Sequence, residues 1–494
     1  MSYAHLFLFI LLLLSHFPTF GQKSIDSYPR IYQAYQNILK LKFEAGRDQL
    51  KAIIPSQEEL GHYHYTMSLA DAMEILISED ESLFKKYEDS EDNHLEGVEE
   101  LDDDDPYKKF YSAEIKIHWA IVKTLFQEEM RAGWALKNAY SEIKDNIEEH
   151  PDFKHNYKSL GTLHVLFAVV PESYYWVLRY FGLRANVIEG WQELSEIDFK
   201  NPYWLETSLI KCLIAINIVN KEEVTMDLLQ DILQHNKDNL AVNYFYNLAL
   251  IKYSHSEDAL SSLTRLTYVG GEYYSISYIL YHLGEIYLQK QEYDMARLYY
   301  SRFLNMHKGK NYIKDTWFKI FLCYWLEGQK KIAELHWEKA QKSGQEFVAA
   351  DKNAADYLSR DKYPNPELYK ARLATDGGYF DIAHRTLKGI KQQSIKSEKE
   401  EVEYFYRYGR LYDKEGEKEE AIFHYLNAIK KSGDENWYFA PSACLYTGYI
   451  YESRGDYEKA AYYFNKVFSY NKYKYKDGLD YKAKAALLLI KDKK

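Results

Sequence analysis

Residues that break regular structure are scarce: 494 residues contain only 10 Pro and 23 Gly. A strand-and-turn fold spends Gly and Pro at most of its reversals, so this composition points to long helices. Cysteine is scarcer still. Cys212, Cys323 and Cys444 lie far apart, each in an apolar run, and no CxxC occurs, so buried free thiols are expected rather than a disulfide framework or a zinc cluster. Motifs of catalysis are missing too: no GxSxG, HExxH, Walker loop or GxGxxG is present, and the sixteen histidines show no ligand spacing. The sequence therefore names no catalytic, cofactor-binding or metal-ligating residue, and a non-enzymatic protein without a cofactor is expected. A broad cationic face is also absent. Residues 88–105 carry eleven Asp and Glu with no Lys or Arg, as many charges as the whole net charge of −11, so the remainder is neutral and a nucleic-acid partner is unsupported.

Long apolar runs are limited to residues 6–14, LFLFILLLL. Nine residues cannot span a bilayer, which takes about 20, but they have the proportions of the apolar region of an export signal. Pro18 then breaks the helix, and Gly21 offers a cleavage context. No Lys or Arg precedes Leu6, so the charged leader is weak, and no Cys stands at the junction to carry a lipid. The ending TFGQ resembles those of exported proteins of the Bacteroidetes. These features predict cleavage near Gly21 or Gln22, no membrane span afterwards, and a location in the periplasm or cell envelope.

What the chain does have is helical periodicity. Ile31, Tyr35, Ile38 and Leu39, then Leu69, Ala72, Met73 and Leu76, mark two helical stretches parted by Pro55 and Gly61. His62 and His64 of the HYHY motif face different ways on a helix, which speaks against a shared metal. The acidic run 88–105 is expected to be an extended, solvated linker because its charges repel one another. Residues 110–147 read as two further helices. Residues 159–194 are apolar on both sides of Pro171, so one helix there should be buried all round or present a sticky surface.

From residue 259 onward a small residue recurs: Ala259, Ala296, Ala333, Ala383, Ala421, Ala460, at intervals near three dozen apart from one longer step that announces an insertion near 343–366. Around it other positions repeat. Gly409 and Gly448, Tyr412 and Tyr451, Gly416 and Gly455, Tyr425 and Phe464 answer one another across residues 402–467, and Leu283, Gly284, Tyr287 and Tyr300 surround Ala296 in the same way. Small residues let paired helices approach while the aromatic rings fill the space beside them. Phe321, where a small residue is expected, should hold its pair further apart. This spacing resembles the tetratricopeptide repeat, a helix-turn-helix unit that stacks into solenoids. A second resemblance covers Gly161, Leu166, Val170, Pro171, Leu178, Gly182, Leu183 and Gly190, which follow the apolar-helix, break, apolar-helix layout of the tetratricopeptide repeat protein 39 and inclusion-body-clearance family. It departs at Arg184-Ala185-Asn186, where that family has Gly-Asp-Arg.

The expected fold is thus all-α: an α-solenoid of tetratricopeptide-like hairpins with a less regular N-terminal helical region. Its expected parts are a signal peptide 1–22, N-terminal helices 23–87, the acidic linker 88–106, a helical region with the apolar hairpin 107–200, degenerate hairpins 201–360, and repeats with a capping helix 361–494. Of the 49 tyrosines, most that can be placed fall on packing positions. Tyr281, Tyr406, Arg410 and Tyr449 sit at non-signature positions of first helices and are the candidates for contact with a partner. The expected function is a scaffold that holds an extended or helical segment of another protein, with a cell-envelope carbohydrate-binding or uptake accessory as the alternative.

Overall fold

The computed structural model describes residues 23–169, 175–219, 221–360 and 362–491. The proposed export segment 1–22 and the Pro171 break lie outside the described residues. Every regular element among the described residues is helical, with no strand. No described helix is long and apolar enough to cross a membrane. The described residues form two compact units, one made of those up to residue 245 with 271–274 and the other of 246–270 with those from 275 onward.

In the first unit Pro29–Leu39 pairs with Phe43–Lys51, and Pro106–Leu125 with Glu129–Glu149. Pro29 and Pro106 each open a helix at the first position, where the missing N–H costs nothing. The apolar stretch forms Asn156–Val169, which is buried nearly all round as its composition requires. It crosses Val187–Ser195 through two glycines. A Cβ on Gly161 would meet the Gly190 carbonyl oxygen at 2.7 Å, and a Cβ on Gly190 would meet that of Gly161 at the same distance. Asn186, part of the departure from the resembled family, caps the second of these helices by accepting from the Ile188 and Glu189 amides.

The acidic linker is corrected by the structure. Ser90–Glu99 is a helix that packs on Leu60–Ser78 and Pro106–Leu125, Glu91 is buried in an ion pair with Lys123, and Asp105 caps Pro106–Leu125 through the Tyr107 amide. Charge density along the sequence overstated the repulsion because Lys108 sits beside Glu99 and Asp103, and Lys123 neutralises Glu91 from outside the run.

The second unit is a run of helical hairpins: Tyr278–Gln289 with Tyr293–Met306, Ile313–Leu326 with Lys330–Lys342, Pro366–Gly377 with Phe380–Gly389, Glu398–Glu415 with Lys418–Ser432, and Phe439–Ser453 with Tyr457–Val467, followed by Lys476–Leu489. The long alanine interval holds the extra helix Ala349–Leu358. All six ruler alanines are fully buried. A Cβ on Gly284 or Gly448 would fall 2.7 Å from the Tyr300 ring or 2.5 Å from the Phe464 ring, so glycine is what admits those rings between the paired helices. At Phe321 a ring takes the glycine's place and meets Trp337 edge-on, 4.8 Å between centroids. The three cysteines are buried and free.

Candidate functional site

Unpaired charge in a helical interior is costly, so the polar groups buried in the first unit are the natural place to look for chemistry. Lys158, on the all-buried helix, has no exposure, and its Nζ lies 2.7 Å from Glu206 Oε1 and in an ion pair with Glu114. Tyr35 and Tyr65 donate their hydroxyls to Glu206 Oε2 at 2.8 and 2.5 Å, Ser159 donates to Glu114 Oε1 at 2.5 Å, and His118 Nε2 lies 3.2 Å from Glu206 Oε1. Burial alone raises the Glu206 carboxyl, but Lys158 and His118 overrule it and hold it below the usual carboxylate range. Burial lowers the Lys158 ammonium, and its two glutamates more than restore it. Burial, with the nearby Glu206 charge, keeps the Tyr35 and Tyr65 phenols protonated. Glu114, His118 and Glu206 have the composition of a metal set, their donor atoms within 4.8 Å of one another. The cation they face is the Lys158 ammonium.

A second such set joins His164 to Glu189 and Glu193. The two glutamates stand one turn apart on Val187–Ser195, His164 Nδ1 lies 2.7 Å from Glu193 Oε2, and Glu189 accepts from Asn186 at 3.2 Å. One imidazole and two carboxylates are a donor set that transition metals accept. The HYHY histidines diverge as expected on a helix: His62 reaches Tyr111, while His64 Nδ1 lies 3.1 Å from His94 Nδ1.

In the second unit the residues singled out from sequence occupy different depths. Tyr281 is 4% exposed, donates to Asp315 Oδ2 at 2.6 Å and belongs to a network in which Lys319 bridges Asp315 at 2.8 Å and Glu285 at 2.6 Å. Tyr406 is 5% exposed, packed against Phe439 and Tyr438. Both are core residues of the isolated chain. Arg410 is partly accessible, its guanidinium 4.0 Å over the Tyr446 ring. Tyr449 is 36% exposed, with its ring 5.3 Å from Phe464 and 6.5 Å from Tyr446. The structure therefore brings Arg410 and Tyr449 together around Tyr446 and leaves Tyr281 elsewhere. Tyr446 was not singled out from sequence; its position six residues after Ala440 carries no repeat signature.

Hairpins distant in the sequence also meet within the second unit. Tyr379 donates to Glu257 Oε2 at 3.0 Å and Tyr475 to Asn353 Oδ1 at 2.9 Å, each pair 122 residues apart, and Lys474 reaches Asp356 at 2.7 Å. First helices of consecutive hairpins touch directly, as Glu398–Glu415 does with Pro366–Gly377 and with Phe439–Ser453. On the other side, between second helices, a surface pocket of about 750 Å³ is lined by Leu426, Ile429, Lys430, Lys466 and Tyr470.

Residues 406–471 and 277–306 match the tetratricopeptide repeat. Among solved structures, the APC/C hetero-tetramer Cut9-Hcn1 is 14% identical, with 88% of this chain and 85% of that chain covered and a TM-score of 0.30. The human IFIT1 dimer with PPP-AAAA is 13% identical, covering 91% and 96%, at a TM-score of 0.31. A Rap protein complexed with competence and sporulation factor is 12% identical, covering 94% and 100%, at 0.25. No curated protein sequence matches the chain.

Proposed function

We propose that the chain is a non-enzymatic interaction scaffold that holds an extended or helical segment of another protein against the first helices of its C-terminal hairpins. The observation that carries this reading is the tandem repeat at residues 406–471, whose signature residues are consumed in packing while Arg410 and Tyr449 stay accessible beside it. Stacked hairpins of this kind make extended surfaces suited to peptides. A binding role is also favoured by the Lys158 cluster, whose charges are spent on one another. Export is part of the proposal: residues 1–22 act as a cleaved signal that delivers the scaffold to the periplasm or cell envelope.

Selection of a random peptide library on the immobilised chain, run beside a glycan array, tests the reading. Enrichment of a peptide family whose binding is weakened by Tyr449→Ala at unchanged Tm supports it, and glycan binding with no selected peptide replaces it by a carbohydrate-binding role. Amino-terminal sequencing of the protein from its source cells should begin near Gln22 or Lys23; an intact Met1 removes the export proposal.

A further inference from the structure

The glycine crossing in the first unit does more than pack two helices. Gly161 and Gly190 bring Asn156–Val169 and Val187–Ser195 so close that a Cβ on either would fall 2.7 Å from the carbonyl oxygen of the other. His164 and Glu193 each stand three residues beyond those glycines, one turn along their helices, and the crossing sets them against each other. His164 Nδ1 lies 2.7 Å from Glu193 Oε2. A Cβ on Gly190 would also lie 3.3 Å from His164 Cβ, so the glycine keeps the root of the imidazole against the second helix. Glu189 completes the group one turn before Glu193, and donor atoms of all three residues lie within 4.8 Å of one another.

Among the described residues no Lys or Arg pairs with either glutamate: Glu193 meets His164, and Glu189 accepts from Asn186 Nδ2 at 3.2 Å. Like charges at i and i+4 destabilise a helix. Glu193 moreover sits in the last turn of Val187–Ser195, where the helix dipole disfavours an anion and no basic residue stands. His164 is 3% exposed, and its other nitrogen, Nε2, is buried with no hydrogen-bond partner among the described residues. Its side chain is therefore polar in one direction only, toward the glutamates. The set Glu114, His118 and Glu206 has the same composition but a different centre, since the Lys158 ammonium stands there, 2.7 Å from Glu206 Oε1. No ammonium or guanidinium does that for His164, Glu189 and Glu193.

We propose that His164, Glu189 and Glu193 form a binding site for one divalent transition-metal ion, with Zn2+ the cation they suit best. Two carboxylate charges balance a dication, and the imidazole nitrogen selects against Mg2+ and Ca2+, which take oxygen ligands. Three donors from two helices leave a fourth position for water. Asn186 steadies the donors from outside: its Nδ2 donates to Glu189, its backbone amide donates to the His164 carbonyl oxygen at 3.2 Å, and its side chain caps the second helix. The ion acts as a clasp across the glycine crossing, and the proposal stands apart from the peptide-holding role of the second unit. Spacing along the chain gives no sign of it, because His164 and Glu193 are 29 residues apart on separate helices.

The test is calorimetric titration of the full chain, stripped with a chelator, with Zn2+, and in parallel with Co2+ followed by its visible absorption. One saturable site per chain is expected, and excess Mg2+ or Ca2+ should not displace the ion. Glu189→Gln and Glu193→Gln, at half-buried positions, should each weaken Zn2+ binding by about tenfold or more and abolish the Co2+ spectrum, as loss of a ligand costs at least as much as loss of an outer-shell partner. His235→Gln, at an exposed histidine of another helix, should change neither. The metal-free urea midpoint of the two glutamine variants should stay close to that of the parent, which separates loss of a ligand from loss of the fold. Absence of saturable Zn2+ binding overturns the proposal, as does binding that survives both substitutions. A lowered urea midpoint with unchanged Zn2+ affinity makes the cluster structural and overturns it too, and displacement by Ca2+ overturns the assignment to a transition metal.

Discussion

Lys158 is the residue on which the first unit's interior turns. It has no exposure and holds two buried glutamates whose remaining oxygens are met by Tyr35, Tyr65 and Ser159. A methionine there would fill similar volume and leave two carboxylates facing each other in a desolvated place. Lys158→Met should therefore cost about 3 to 5 kcal/mol, as removal of one partner from a buried ion pair does. Urea unfolding of the full chain measures it, and adding Glu114→Gln and Glu206→Gln to the same variant should recover part of the loss. Little of this was legible in the sequence. The helix carrying Lys158 could be read as apolar on every side, but its partners come from helices far apart in the chain, and no local pattern connects Lys158 to Glu114 or Glu206. Tyr281 and Tyr406 fail for a related reason: position within a repeat says which face a residue takes, not how closely the next hairpin covers that face.

At the scale of the element, the repeat was legible because it is enforced by contact. Gly409 and Gly448 each lie against the ring of the paired helix, Tyr425 and Phe464, and the buried Ala421 and Ala460 leave no room beside them. Gly448→Ala should cost about 1 to 3 kcal/mol through overpacking. Combining it with Phe464→Leu should cost less than the sum of the two single changes, because the ring that the new methyl would strike has gone. Thermal unfolding of the four proteins decides the matter, and strict additivity would mean that the glycine and the ring are not in contact. Ala421→Leu and Ala460→Leu belong to the same class and the same range of cost. The acidic helix Ser90–Glu99 shows where element reading fails: its pattern of charge suggested a solvated linker, while a single buried pair, Glu91 with Lys123, and contacts with two neighbouring helices order it.

For the whole molecule, pH is the simplest lever. Burial holds His62 down to about 3, His64 down to about 4 with His94 adding to the effect, and His155 down to about 4. In the second unit burial holds His282 and His307 down to about 4 as well. A histidine whose folded value lies below its unfolded one contributes stability above about pH 6.5 and loses it as pH falls toward the folded value. Each of His62, His155, His282 and His307 should cost on the order of 1 to 2 kcal/mol by pH 5 relative to pH 7, and the more exposed His64 less. Urea midpoints should drop steadily from pH 6.5 to pH 4 and stay level from 6.5 to 8; a level profile down to pH 5 would contradict the burial of these side chains.

The central claim is that the hairpins of the second unit present their first helices to a partner. Hydrogen–deuterium exchange of the full chain, alone and saturated with a library-selected peptide, measures it directly. The account predicts slowed exchange in Glu398–Glu415 and Phe439–Ser453 with little change in Lys418–Ser432 and Tyr457–Val467; protection confined to those second helices, or to the first unit, would contradict it.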